Sequence, residues 1–435
     1  MGPPSDPHLQ HPNTNHCKFV HSSNYYVEQF NLRDMQQANF TIIELIERSR
    51  HVNGGVTGTL TIVPVKESEK FDISIVAHMA TTAAWKVKGF DIIATDTVFE
   101  VREPAFERTG GSQQDPACLD VAIKVYVRKG AVLDNFHVST LNLGIASEGA
   151  LFQHGTSQAL DDVVSITNSS LLSTVKGNID LPYWRSRKTY VSSVSGSIKG
   201  DYALLDLLSV SSQSGSVRIG VDPQHADKQH PKPAWLKTKT VSGSIDIGLI
   251  TRSDTPDRDY KTLVTSMSGS IKGTFLLGTE ASFETASGSM QLAIHPHEIG
   301  QKHPRLSTKT HSGQTTVEIV EPYVSEFYLR SRAEADRLAA QANGMFDSGM
   351  LSSLDSSHST SSASINLKYP DEWTGRIAAQ SVSGSIKLKG EGVHVDVAQE
   401  IPGFKKTLAH KGFGSGLTDI RSVSGSIDFL AGFVD

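Results

Sequence analysis

A short phrase, Ser195-Gly196-Ser197-Ile198 preceded by Val194, recurs down the second half of the chain and narrows the fold more than any other feature. It returns at Gly215 (Ser-Gly-Ser-Val), Gly243, Gly269, Gly288 (Ser-Gly-Ser-Met), Gly384 and Gly425, with looser copies at Gly177 (Lys-Gly-Asn-Ile) and Gly313 (Ser-Gly-Gln-Thr). The glycines at 177, 196, 215, 243, 269, 288 and 313 stand 19, 19, 28, 26, 19 and 25 residues apart. A unit of that length cannot bury its apolar face alone, so neighbouring copies must stack. The predicted fold class is therefore all-β: a parallel β-helix-like solenoid of 19–28-residue coils, preceded by a small β-sandwich-like domain.

Within one copy the side chains alternate. Val194, Gly196 and Ile198 are predicted on a buried face and Ser195 and Ser197 on a wet one, the period of two that a half-buried strand requires. Val241-Gly243-Ile245-Ile247, Met267-Gly269-Ile271 and Ala286-Gly288-Met290-Leu292 keep that parity. Glycine is required in one of two ways: as the absent side chain where backbones approach, or as a positive-φ residue in a bend, and the bend is favoured. Unequal coil lengths are accommodated because loop closure cost rises slowly with length. Two polar, proline-broken insertions stand out, at 222–233 and 295–304.

The remaining stretches complete a five-part organisation. Residues 1–18 lack periodicity and are predicted as a disordered tail. Residues 19–150 form an N-terminal β-domain that caps the array, with alternation at Val56-Gly58-Leu60-Ile62 and in Phe71 to Val76. Repeats occupy 151–323. Residues 324–364 hold a helix-forming run, Arg332 to Ala342, followed by a serine-rich linker; repeats resume over 365–435.

At these residues the chain resembles the adhesin-type β-solenoid family, a group of unassigned molecular function defined by Thr/Ser-x-Ser-Gly-(Asp/Ser)-Ile repeats. Its fungal-type members are similar in the leading β-domain, the array and a closing pair of repeats, here Ser381 to Ile386 and Ser422 to Ile427. The resemblance implies the solenoid fold and an adhesive role. Such members often carry a basic cytosolic tail and a membrane helix before the β-domain; neither is read here, a departure that puts membrane anchorage and surface display in question.

With 46 acidic and 41 basic residues the net charge is −5, which offers no positive field for a phosphate backbone, so nucleic acid is not an expected partner. Cys17 and Cys118 are the only cysteines and are expected to be reduced thiols, too few for a zinc site. No secretory signal and no membrane span is read, and the expected location is cytoplasmic, with peripheral or surface association as the alternative. The residue after each isoleucine equivalent reads Asp180, Lys199, Arg218, Asp246, Lys272, Gln291, Thr316, Lys387 and Asp428, mixed signs that predict modest cross-strand ion pairs. His225, His230, His295, His297 and His303 would form a metal group only if both insertions left one corner; incidental loop histidines are the plainer expectation. Ser-Gly-Ser recurs in every coil, so its serines are structural, and no Gly-x-Ser-x-Gly elbow is present.

No catalytic, cofactor-binding or metal residue is assigned. The leading expectation is a non-enzymatic, adhesin-like scaffold or interaction protein with a protein or glycan partner. A carbohydrate-active lyase or hydrolase is the alternative, on architecture alone. Self-association through the array's ends is a third.

Overall fold

Strand after strand buries every second residue: Thr-Trp-type alternation such as buried Ala234, Leu236, Thr238 and Thr240 between outward Trp235, Lys237 and Lys239 makes each segment one side of a sheet. The computed structural model describes residues 19–20, 25–32, 38–47, 55–82, 85–110, 118–149, 151–152, 164–250, 255–298, 303–320, 322–324 and 350–432. Among them the chain is all-β, with no α-helix and a single 3₁₀ turn at Met350–Ser353. The expected tail at 1–18 and the helix-forming run lie outside the described residues.

The chain divides into two units. The first, Met1–Ser186 with Ser192–Gly196, carries β1 (Phe19–Val20), β2 (Tyr25–Phe30), β3 (Asn39–Leu45), β4 (Gly55–Val65), β5 (Ile73–Thr82), β6 (Trp85–Ala94), β7 (Val98–Arg108), β8 (Cys118–Arg128), β9 (Val132–Thr140), β10 (Gly144–Ser147), β11 (Ser165–Thr174) and β12 (Ile179–Trp184). One sheet runs β5–β8–β4–β10–β12, with β1 and β2 antiparallel on β5; the other runs β6–β7–β3–β9–β11. A sandwich would pair its strands antiparallel, whereas β3, β4, β7 to β12 pair in parallel wherever they meet one another. The leading region thus already has the pairing of the repeats, without their phrase. Its core sets Phe30 against Phe40 at 4.8 Å and Phe152 against Trp184 at 5.1 Å. Buried Glu44 accepts from the amides of Ile46, Leu141 and Asn142 at 2.8–2.9 Å, and buried Arg128 pairs with Asp72.

One expectation fails here. Cys118, buried at the start of β8, is disulfide-bonded, not a reduced thiol. The other cysteine, Cys17, lies outside the described residues. The physical reason is visible in the register: Thr81 of β5 pairs with both Val20 and Leu119, so segments about a hundred positions apart in sequence become neighbours.

The second unit, Arg187–Val191 with Ser197–Asp435, carries β13 (Lys188–Ser193, its last two residues in the first unit), β14 (Ile198–Leu204), β15 (Leu207–Ser212), β16 (Val217–Pro223), β17 (Ala234–Thr240), β18 (Ile245–Leu249), β19 (Tyr260–Ser266), β20 (Ile271–Leu277), β21 (Glu280–Thr285), β22 (Met290–Glu298), β23 (Arg305–Thr310), β24 (Thr315–Ile319), β25 (Tyr323–Val324), β26 (Asp355–Thr360), β27 (Ile365–Tyr369), β28 (Gly375–Ser381), β29 (Ile386–Gly390), β30 (Val393–Ile401), β31 (Phe404–Lys411), β32 (Leu417–Ser422) and β33 (Ile427–Ala431). Parallel pairing runs β14–β16–β18–β20–β22–β24–β27–β33–β29 in one sheet and β15–β17–β19–β21–β23–β26–β32–β28 in the other. Such pairing, one strand per repeat in each sheet, is consistent with a β-solenoid. Antiparallel β31 and β30 follow β28. The serine-rich stretch expected to be a linker contains β26, whose Ser356, His358 and Thr360 face inward. Serine there is a core residue because the interior supplies it with partners: Ser356 donates to Thr418 at 3.1 Å.

The repeat phrase is a corner, not an inner-face strand. Strands end at Ser193, Thr240 or Ser266 and resume at Ile198, Ile245 or Ile271. The residue three before each glycine is a buried Ser or Thr, and at most corners its oxygen accepts the glycine amide: Ser193 from Gly196 and Ser266 from Gly269, both at 2.8 Å, and Thr310 from Gly313 at 3.0 Å, whereas Thr240 donates to the carbonyl of Gly243 at 2.7 Å. That turn breaks the alternation. Gly196 and Ile198 are buried as predicted, but Val194, Val241, Met267, Val382 and Val423 stand 37–60% exposed. Nor do the phrase glycines take positive φ, which instead occurs at Gly200, Gly273 and Gly390. Close approach is the reason for them: a Cβ on Gly243 would overlap the carbonyl oxygen of Gly215, and one on Gly269 that of Gly243.

Candidate functional site

Because the corner turns the residue two before each glycine outward, successive coils of the second unit present a column of such residues, Val241, Met267, Ala286 and His311, continued by the half-buried Ser361, where Ala363 stands in the glycine position. Together with the two residues before each of them, they line an open groove of about 500 Å³. Five copies of one three-residue position thus build it, one from each of β17, β19, β21, β23 and β26 and the corner that follows. The inward member of each triplet is a buried hydroxyl residue, from Thr240 to Thr360; Ser266, Thr285 and Thr310 accept the amide of the corner glycine and Thr240 donates to the carbonyl of Gly243. The strand member contributes charge of both signs: Lys239, then the exposed pair Glu284 and Lys309 at 3.2 Å.

Main-chain groups along this column are already engaged. The amide of Ser268 donates to Val241, those of Ala286 and Ser287 to Met267, and that of His311 to Ala286. Recognition in the groove is consequently a matter of side chains: an apolar stretch at Val241, Met267 and Ala286, and polar ends at Lys239 and His311. With strands about 4.8 Å apart, five coils give a run of roughly 19 Å. The sequence held a signal for this: a buried layer would not read Val, Met, Ala, His and Ser at equivalent positions.

The histidine loops do something else. His225, His230 and His303 are exposed, His295 is half-buried, and His297 is buried with its ring 5.2 Å from that of Tyr260 and its Nε2 3.5 Å from Asp257. Burial pushes His297 below the ordinary histidine range against the pull of Asp257. Among the described residues, no three His, Cys, Asp or Glu side chains are grouped to hold a metal ion. The 222–233 insertion is stapled down. Arg187 Nε pairs with Asp206 at 2.6 Å and its Nη1 with Asp227 at 3.0 Å, while buried Arg258 donates to the carbonyls of Gln224, at 2.9 Å, and Lys232. Of the outward charge row, Arg218 and Asp246 meet at 3.6 Å in paired register, both exposed, a contact worth at most about 1 kcal/mol.

No protein-family model matches the chain, and no curated protein matches it; the family resemblance drawn from the repeats has no support from either. Among solved structures, one described as a "putative cell adhesion protein" from Clostridium sporogenes is similar at 8% identity, over 94% of this chain and 99% of that chain, with a TM-score of 0.14. No helix among the described residues is long and apolar enough to cross a membrane.

Proposed function

We propose that this protein is a non-enzymatic β-solenoid interaction protein, adhesin-like in the sense that its repeats display a binding surface, and that the groove beside the repeat corners is that surface. One observation carries this: five equivalent triplets line a single open groove, and the column at its centre varies freely in chemistry while the residue before it is a hydroxyl in all five coils and the position two after it is glycine in four and Ala363 in the fifth. A scaffold that conserves its corner geometry and varies the residue it points outward is built to be read by a partner. The mixed charges and the apolar middle fit an extended protein segment lying across the coils.

The test is attachment. Beads coated with the full chain are expected to bind intact cells, and Val241→Asp with Met267→Asp to lose that attachment while keeping the thermal midpoint, since both side chains are already exposed. Attachment unchanged in the double variant removes the groove from the account. Sustained release of reducing ends from glycans by the purified chain overturns the non-enzymatic reading.

A further inference from the structure

On the outer face of β17 and β19, Trp235 is surrounded by ammonium groups. Lys237, two residues along the same strand, places its Nζ 4.6 Å from the centre of the indole ring, and Lys261, the direct cross-strand partner of Trp235, places its own at 5.2 Å. Lys239 follows on the same face and Leu263, the partner of Lys237, is 38% exposed beside them. We infer that this face is a binding site for a linear anionic polysaccharide, one whose carboxylate or sulfate groups bridge Lys237 and Lys261 while a sugar ring packs against Trp235 and Leu263.

The charge arrangement carries the inference. Two like charges drawn to one indole repel each other, and the attraction of each for the ring face, roughly 0.5–1 kcal/mol at an exposed site, holds them there. Among the described residues neither lysine, nor Lys239, has a carboxylate within ion-pair distance, although the chain is acidic overall. The next strand bounds the patch with Glu280, in register with Lys261, and Glu284, in register with Thr265. An anion between the two ammoniums removes their repulsion and accepts charge-assisted hydrogen bonds from both. Aromatic and aliphatic side chains beside them suit the CH face of a sugar. An extended peptide is the poorer fit, because β17 is paired on both sides, to β15 and β19, and offers no free main-chain edge. This rests on the reading of the chain as a binding protein but centres on Trp235, Lys237 and Lys261, none of which lines the groove; Lys239 alone borders both.

The experiment titrates the purified full chain with polygalacturonate, dextran sulfate and neutral dextran, following tryptophan fluorescence and calorimetry. Saturable binding of at least one polyanion is expected, with none of neutral dextran and a steep loss between about 50 and 200 mM salt; which polyanion binds separates carboxylate from sulfate. Lys237→Ala with Lys261→Ala should weaken it by about tenfold or more, Lys237→Gln alone by less, and the matched loss of charge in Lys272→Ala with Lys387→Ala should leave it within about twofold. Should the double alanine variant fail to fold, Lys237→Gln alone still decides. Absence of polyanion binding at low salt, affinity unaffected by these lysines, or equal affinity for duplex DNA or for phosphatidylserine vesicles overturns the assignment. Binding retained in Met267→Asp, with cell attachment lost, shows the two sites to be separate; attachment retained with no polyanion bound overturns this inference and leaves the groove standing.

Discussion

At Gly243 the constraint is distance. The carbonyl oxygen of Gly215 occupies the space a Cβ would take, and backbone cannot move aside as a flexible side chain does. Gly243→Val should therefore lower stability by roughly 2–4 kcal/mol, read as a fall in the unfolding midpoint. Gly248, with nothing within 4 Å of its would-be Cβ and an ordinary φ, is the control; Gly248→Ala should leave the midpoint unchanged or raise it slightly. His358 is the second residue whose surroundings decide its behaviour. It is fully buried, with Nδ1 2.8 Å from Thr308 Oγ1 and Nε2 3.2 Å from Tyr369 Oη, and the loss of water pushes its pKa from 6.5 down to about 3. Between those values the unfolded chain binds the proton and the folded chain does not, so stability is lost as pH falls from 6.5 toward 3. The thermal midpoint should drop across that window, and drop less steeply in His358→Gln. Neither effect is visible in local sequence: a glycine's neighbour lies in another coil, and His358 sits in a run of serines that reads as linker.

Among elements, the 222–233 insertion illustrates how a polar loop is fixed to a repeat body. Arg258 has a nearly buried side chain and donates to two loop carbonyls, near Asp206, which Arg187 also holds. Arg258→Ala should cost about 2–4 kcal/mol and increase hydrogen exchange at 224–233, and Arg258→Lys should not restore protection, because one ammonium cannot span both carbonyls. Strand β30 presents the opposite problem. Among the described residues it pairs with β31 alone, and Val395, Val397 and Ile401 are 45–52% exposed along it. An edge of that kind invites pairing with a second chain, and a bulge with a charge in it is a common defence. Here the register slips between Val395 and Val397, and the intervening Asp396 lies 2.8 Å from His410. Asp396→Val should raise self-association, measured by light scattering across a concentration series; a monomer throughout would show the bulge alone to be sufficient.

Across the whole chain, the order of coils does not follow the order of sequence. Residues 417–431 supply β32 and β33, and these enter between earlier strands: β33 between β27 and β29, β32 between β26 and β28. A deletion of residues 413–435 accordingly removes two internal strands. Amides of β28 to β31 are expected to exchange at the rate of unfolded chain in that deletion, whereas in the full chain β33 should be as protected as β27. Persistent protection of β28 in the deletion would show that β28 can stack directly on β26.

What the sequence determined by itself was local and periodic: an all-β chain, the spacing of its repeats, the inward isoleucines, and the need for glycine at the phrase copies. These are legible because alternation and the absence of a Cβ act over a few residues. Only tertiary structure decided why glycine is needed, which way Val241 and Met267 point, which coil lies on which, and that Trp235, Lys237 and Lys261 share one face. Each of these depends on a neighbour tens of residues away, brought there by burial of apolar surface that no single repeat could hide alone.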